Sequence, residues 1–140
     1  MPVTVSDVIE APIARVWEIV ADFEGLMRWH PLVLACDTVG RGAGAVRTVR
    51  FADWWAVERL DRVDGQAHLV AYTITDCSRE VNIGARASIA LAALGPARTG
   101  IAWTAGLDAS SAHAAAVNAA LEAYYPVRIG HLKNALGLAA

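Results

Sequence analysis

WAVERLDRVDGQAHLVAYTIT, residues 55–75, is the stretch that decides the fold. Residues 55–60 and 66–75 read as two strands. Val63-Asp64-Gly65 between them suits a three-residue hairpin loop, with Gly65 in the left-handed bulge position. On that register Arg62 pairs with Gln66, and Glu58 lies opposite Val70. Side chains alternate along a strand, so Ala56, Glu58, Leu60, His68, Val70, Tyr72 and Ile74 share one face. Most of that set wants burial. A glutamate among them is paired, neutralised or waiting for a ligand, unless it sits at an edge and reaches water.

Working outward, residues 3–9 form a β-branched run that reads as a first strand. Pro12 suits the first turn of a helix to about Ala21, with Ile13, Val16, Trp17 and Val20 at helical spacing. Asp22 is placed to cap a second short helix over 23–29, weakened by Gly25 and ended by His30-Pro31. Residues 32–39 and 45–51 read as strands joined by the glycines at 40, 42 and 44. After the hairpin and a polar link at 76–82, residues 84–94 and 101–107 read as strands joined at Gly95-Pro96. From Ser110 to about Leu138 the period becomes helical, with Ser110 or Ser111 as cap. Val117, Leu121, Tyr124, Leu132 and Leu136 fall on one stripe, and Pro126 is expected to kink the helix.

Seven strands with short turns predict one antiparallel sheet, which a single long helix must cover. The fold class is therefore α+β, with a curved seven-stranded sheet wrapped on a C-terminal helix and two short helices after the first strand. Such a shell leaves room for a cavity. The whole chain, 1–140, reads as one domain.

Composition narrows the function classes. The chain is 56% hydrophobic and 19% charged, so it is not a disordered chain. Net charge is −2 with no basic cluster, which argues against nucleic acid and against an anionic membrane surface. No apolar run is long enough to span a bilayer. Cys36 and Cys77 form no metal-type spacing; the sequence leaves a disulfide between them open, while two lone thiols without a secretory signal fit the cytoplasm. No nucleophile elbow, phosphate-binding glycine loop or H-E-x-x-H motif is present. No cofactor is called for, and no motif points to a metal.

The element order resembles the helix-grip proteins of the START/Bet v 1 superfamily. Ala11-Pro12 with Val16-Trp17, Asp22-Phe23 with Trp29-His30-Pro31, and Gly44-Ala45-Val46-Arg47 carry the resemblance, together with Glu58-Arg59-Leu60-Asp61 and Leu132-Lys133 with Leu136. It extends over nearly the whole chain. The stretch 58–75 is most similar to abscisic-acid receptors and bacterial polyketide cyclase/dehydrase-like proteins. The resemblance implies the fold and a ligand cavity, but not a reaction, because this fold hosts carriers, receptors and enzymes. The link between the third and fourth strands, Ala52-Asp53-Trp54, is shorter than the receptors' gate loop and lacks its serine-glycine-leucine-proline pattern.

Candidate site residues follow. Alternation places Tyr72 beside Glu58 on the hairpin's inner face, and Trp103 on the apolar face of the last strand. Tyr124 and His131 lie on or beside the inner stripe of the long helix. Phe51 and Trp54 flank the short link, where an aromatic ring either stacks on a ligand or covers a gap. The resemblance sets His30 where the receptors carry a lysine that meets the ligand's acid group. It sets Glu58 at a glutamate that reaches the ligand through water, and His131 at a pocket asparagine. Arg86 is in conflict: the resemblance turns it inward, whereas apolar Ala85, Ala87, Ile89 and Leu91 leave it outside.

Together these point to a small enzyme acting on a hydrophobic, oxygen-rich small molecule, in the manner of cyclases and dehydratases. His30 and Glu58 would move the proton, a contribution of ~10²–10⁴-fold where it operates. The alternative is a non-catalytic binder or carrier of a lipid, quinone or similar ligand. Either protein would work as a monomer or homodimer.

Overall fold

The computed structural model describes residues 2–108 and 111–138. Seven strands form one antiparallel sheet: Val3–Ile9 (β1), Ala35–Val39 (β2), Val46–Arg50 (β3), Trp55–Asp64 (β4), Leu69–Cys77 (β5), Arg86–Gly95 (β6) and Arg98–Gly106 (β7). Their order across the sheet is β1-β7-β6-β5-β4-β3-β2, so the first strand closes on the last. Helix α1, Ile13–Val20, and a 3-10 helix, Phe23–Arg28, follow β1. A 3-10 turn, Glu80–Asn82, links β5 to β6, and α2, Ala112–Ala135, lies against β1 and β7. This is the helix-grip architecture that the strand count and the single long helix predict.

Helix α2 is clamped at both ends. Ser111 Oγ caps its start by accepting from the Ala114 amide at 3.0 Å; Ser110, the other candidate cap, lies outside the described residues, as do positions 1, 139 and 140. Asn118 is buried and its side chain bonds both the N–H and the C=O of Leu107. Gly106, with φ +143°, makes room for it: a Cβ there would come within 2.2 Å of Asn118 Oδ1. Near the other end, Lys133 Nζ meets Asp7 Oδ2 of β1 at 2.8 Å, and Arg15 Nη2 donates to the Leu136 carbonyl. Ile129 and Leu132 between them are 0% exposed, worth about 1.5–3 kcal/mol of burial each.

The structure corrects several local expectations. The β4–β5 turn is not a three-residue loop: β4 runs to Asp64 and β5 starts at Leu69. Asp64 Oδ1 accepts from the amides of Gln66 and Ala67, and His68, not Gly65, takes the positive φ of 53°. The register shifts around Asp61, so Glu58 pairs with Ile74 and not with Val70. That displacement is four residues, an even number, so Glu58 keeps the inner face. Asp22 makes no cap bond; its carboxylate takes Arg28 at 3.0 Å. Residues 32–34 precede β2 and are not part of it, and α2 continues from Ala112 to Ala135 with Pro126 inside. Both cysteines are free.

Candidate functional site

The concave face of the sheet, α2 and the segment 23–30 enclose a cavity of about 460 Å³. Inner residues of five strands supply its floor, among them Val49, Val70, Ile89 and Ala105, and Val117, Leu121 and Tyr124 of α2 its roof. The volume lies in the range of small-molecule sites. His30, Phe51, Trp54, Glu58, Tyr72, Arg86, Trp103 and Tyr124 all line it. His131 does not. It sits half-exposed one turn of α2 beyond the wall, where its Nδ1 accepts from Arg128 Nη1 at 3.0 Å.

Glu58 is paired. Arg47, directly opposite on β3, brings Nε and Nη2 each to 2.7 Å from Glu58 Oε1. The same guanidinium donates to the Phe23 carbonyl at 2.7 Å and lies 4.0 Å from the centroid of the Phe23 ring. Arg47 is 6% exposed, so this is a desolvated, charge-assisted lock that ties the 3-10 helix to the sheet. Tyr72 stands beside it, with the Arg47 guanidinium 5.2 Å from its ring. Burial raises the Tyr72 phenol's pKa, with Glu58 adding to the effect, and keeps it neutral.

Elsewhere in the cavity lining His30 Nε2 lies 3.2 Å from the Tyr124 hydroxyl. His30 follows the 3-10 helix, where Pro31 ends any helical continuation, and its 5% exposure leaves Nδ1 without a partner. Burial lowers its pKa to about 3, with Arg128, His131 and Arg47 adding repulsion, so its imidazole is neutral near pH 7. Burial likewise raises Tyr124, against the opposing pull of Arg128. Arg128 places its guanidinium carbon 3.9 Å from the Tyr124 ring centroid. No hydrogen bond joins His30 to Glu58; each has its own partner.

Trp103 stacks on Tyr125 at 4.4 Å and lies edge-on to Trp29 at 6.0 Å, forming the cavity's aromatic back wall. At the mouth Trp54 stacks flat on Phe51 at 4.1 Å, and Arg79 covers its outer face at 4.5 Å. Alternation prevails for Arg86: it turns outward, 75% exposed at the side chain and 4.0 Å from Asp108, and only its length brings it to the cavity lining.

Sequence reasoning missed Arg47 and Arg128 as cavity residues. Both had a signal. Arg47 alternates with Ala45 and Val49 on the apolar face of its strand, the same anomaly that made Glu58 visible one strand away. Arg128 lies four residues from both Tyr124 and Leu132, inside the stripe.

A family model described as polyketide cyclase / dehydrase and lipid transport matches residues 2–137. Abscisic acid receptor PYL6 of Arabidopsis thaliana is 34% identical over 79 residues, 51% of this chain; the chain spans 36% of that receptor's length. Among solved structures, a Thermobifida fusca protein superposes with a TM-score of 0.81 at 28% identity, covering 94% of this chain and 90% of that one. Ara h 8.0201 superposes at 0.74 with 16% identity and 98% of each chain covered, a likeness of fold alone. Among the described residues no helix is long and apolar enough to cross a membrane.

Proposed function

Because the chain belongs to the polyketide cyclase/dehydrase and lipid transport family, within the START/Bet v 1 superfamily, we propose that it binds a hydrophobic small molecule between sheet and helix. The carrying observation is the cavity of about 460 Å³, lined by apolar residues of sheet and helix such as Val49, Val70, Ile89, Val117 and Leu121 together with a few polar groups. Binding or carriage comes first among the readings because the ionisable pair nearest the floor, Glu58 with Arg47, already satisfies itself. The cytoplasm is the proposed setting, since both thiols are free. Titration with the neutral fluorophore N-phenylnaphthylamine tests the reading. Saturable binding is expected, and Ala87→Trp, which puts an indole into the cavity from β6, is expected to abolish it with the melting temperature kept. Undiminished binding to the filled variant would place the fluorophore elsewhere and overturn the reading.

The second reading is catalysis of cyclisation or dehydration by proton transfer, with His30 and Glu58 as the acid–base residues. The hydrogen-bonded His30–Tyr124 pair on the cavity wall favours it, and the burial that makes His30 a weak base ranks it second. Glu58 would have to act from within its ion pair. With a polyketide-type thioester substrate, His30→Asn is expected to lose at least ~10²-fold in turnover with N-phenylnaphthylamine binding kept. Unchanged turnover, or none in the unaltered protein, leaves the carrier.

A further inference from the structure

We propose that Arg128 is the anchor for an anionic head group, so that the molecule held in the cavity is a hydrophobic carboxylate. The proposal rests on the binding reading above and names its ligand class. Four arginines line the cavity, and three have a carboxylate of their own. Arg47 has Glu58 at 2.7 Å, Arg79 has Asp53 at 3.8 Å, and Arg86 has Asp108 at 4.0 Å. Arg128 has none within 4.0 Å among the described residues, although it is 7% exposed while Arg79 and Arg86 reach solvent at the rim. Its contacts include the ring and the hydroxyl of Tyr124 and the lone pair of His131 Nδ1, and its Nε has no partner. A guanidinium never gives up its charge at ordinary pH, so the cavity wall holds here a desolvated cation with no anion among the described residues.

The surroundings fix the class of the missing anion. His131 receives a hydrogen bond on Nδ1 and so is not a second cation. His30 is bonded to a phenol and is held neutral by burial beside Arg128. Arg47 is already neutralised by Glu58. One positive charge is therefore on offer, which suits a monoanion and leaves a dianion such as a phosphate monoester half-compensated. The guanidinium fork is planar and matches the two oxygens of a carboxylate, and the Tyr124 hydroxyl and His30 stand beside it. The rest of the wall, including Leu121, Val117 and Trp103, takes an apolar body.

Matched acid and ester probes test this at pH 7.5. Naphthoate and phenylbutyrate are each compared with their methyl esters, by calorimetry and by displacement of N-phenylnaphthylamine. The acids are expected to bind at least about tenfold tighter than the esters. In Arg128→Met, which keeps the aliphatic stem and removes the charge, the ratio is expected to fall to about one, and Arg128→Lys is expected to recover part of it. A purely structural Arg128 would instead weaken acid and ester alike. An ester bound as tightly as its acid, or a preference unchanged in Arg128→Met, overturns the proposal while cavity binding stands. Binding of neither acid, ester nor fluorophore removes the cavity-binding reading itself.

Discussion

Arg47 and Arg128 are the same residue type, buried to nearly the same depth, 6% and 7% exposed, in the wall of one cavity. Arg47 is saturated: a carboxylate, a backbone carbonyl and an aromatic face take up its guanidinium. Arg128 has an aromatic face and an imidazole lone pair. The difference separates what a buried charge does for the fold from what it offers a ligand. A charge whose partners are all internal is a fastener, and here it joins β3, β4 and the 3-10 helix. A charge left short of an anion costs the apo protein stability, and a bound anion can return that cost.

The largest expected effect follows from this contrast. Arg47→Met strands the Glu58 carboxylate and is expected to cost about 3–5 kcal/mol in urea denaturation, whereas Arg128→Met is expected to stay within about 1 kcal/mol. Adding Glu58→Leu to Arg47→Met should recover most of the loss, because an apolar pair replaces the ion pair. Equal costs for the two single arginine variants would break the comparison and make Arg128 a fastener as well.

How much of this was legible in the sequence depended on parity more than on register. The pairing around Glu58 is displaced by four residues from the expected one, because Asp61 shifts the ladder and Asp64 builds a longer turn through its own carboxylate. Neither effect has a period that a strand pattern can carry. The inner face survived because the displacement was even. Trp103 and Tyr72 were legible for the same reason. Arg128 was not read as a wall residue because long cationic side chains on helices usually reach water. Its signal is its place four residues from both Tyr124 and Leu132, inside the stripe. The stripe and the resemblance point His131 to the pocket. The helix instead carries it past the wall, where it serves Arg128 and not the cavity.

The smallest expected effect is in the pH dependence, and it sharpens the contrast because His30 answers to Arg128 more than to Arg47. Burial, then Arg128, His131 and Arg47, hold the folded His30 at about 3, whereas an unfolded histidine titrates near 6.5. Above 6.5 neither state is protonated and His30 contributes no slope. As pH falls below 6.5 the unfolded chain takes up a proton that the folded protein refuses, so stability drops, by at most about 1.4 kcal/mol per pH unit. His131, lowered by burial and Arg128, adds a slope of the same sign. The measurement is therefore a difference: urea denaturation from pH 6.5 to 5, unaltered protein against His30→Asn, with the shallower slope expected in the variant. Arg128→Met removes the largest charge repulsion on His30, so the folded imidazole is expected to take up its proton at a higher pH, read by NMR titration of its ring protons. Saturating naphthoate should do the same by placing an anion beside that cation. If neither Arg128→Met nor the acid raises the pH at which folded His30 takes up its proton, Arg128 does not govern the charge around His30, and the distinction between the two arginines is one of packing alone.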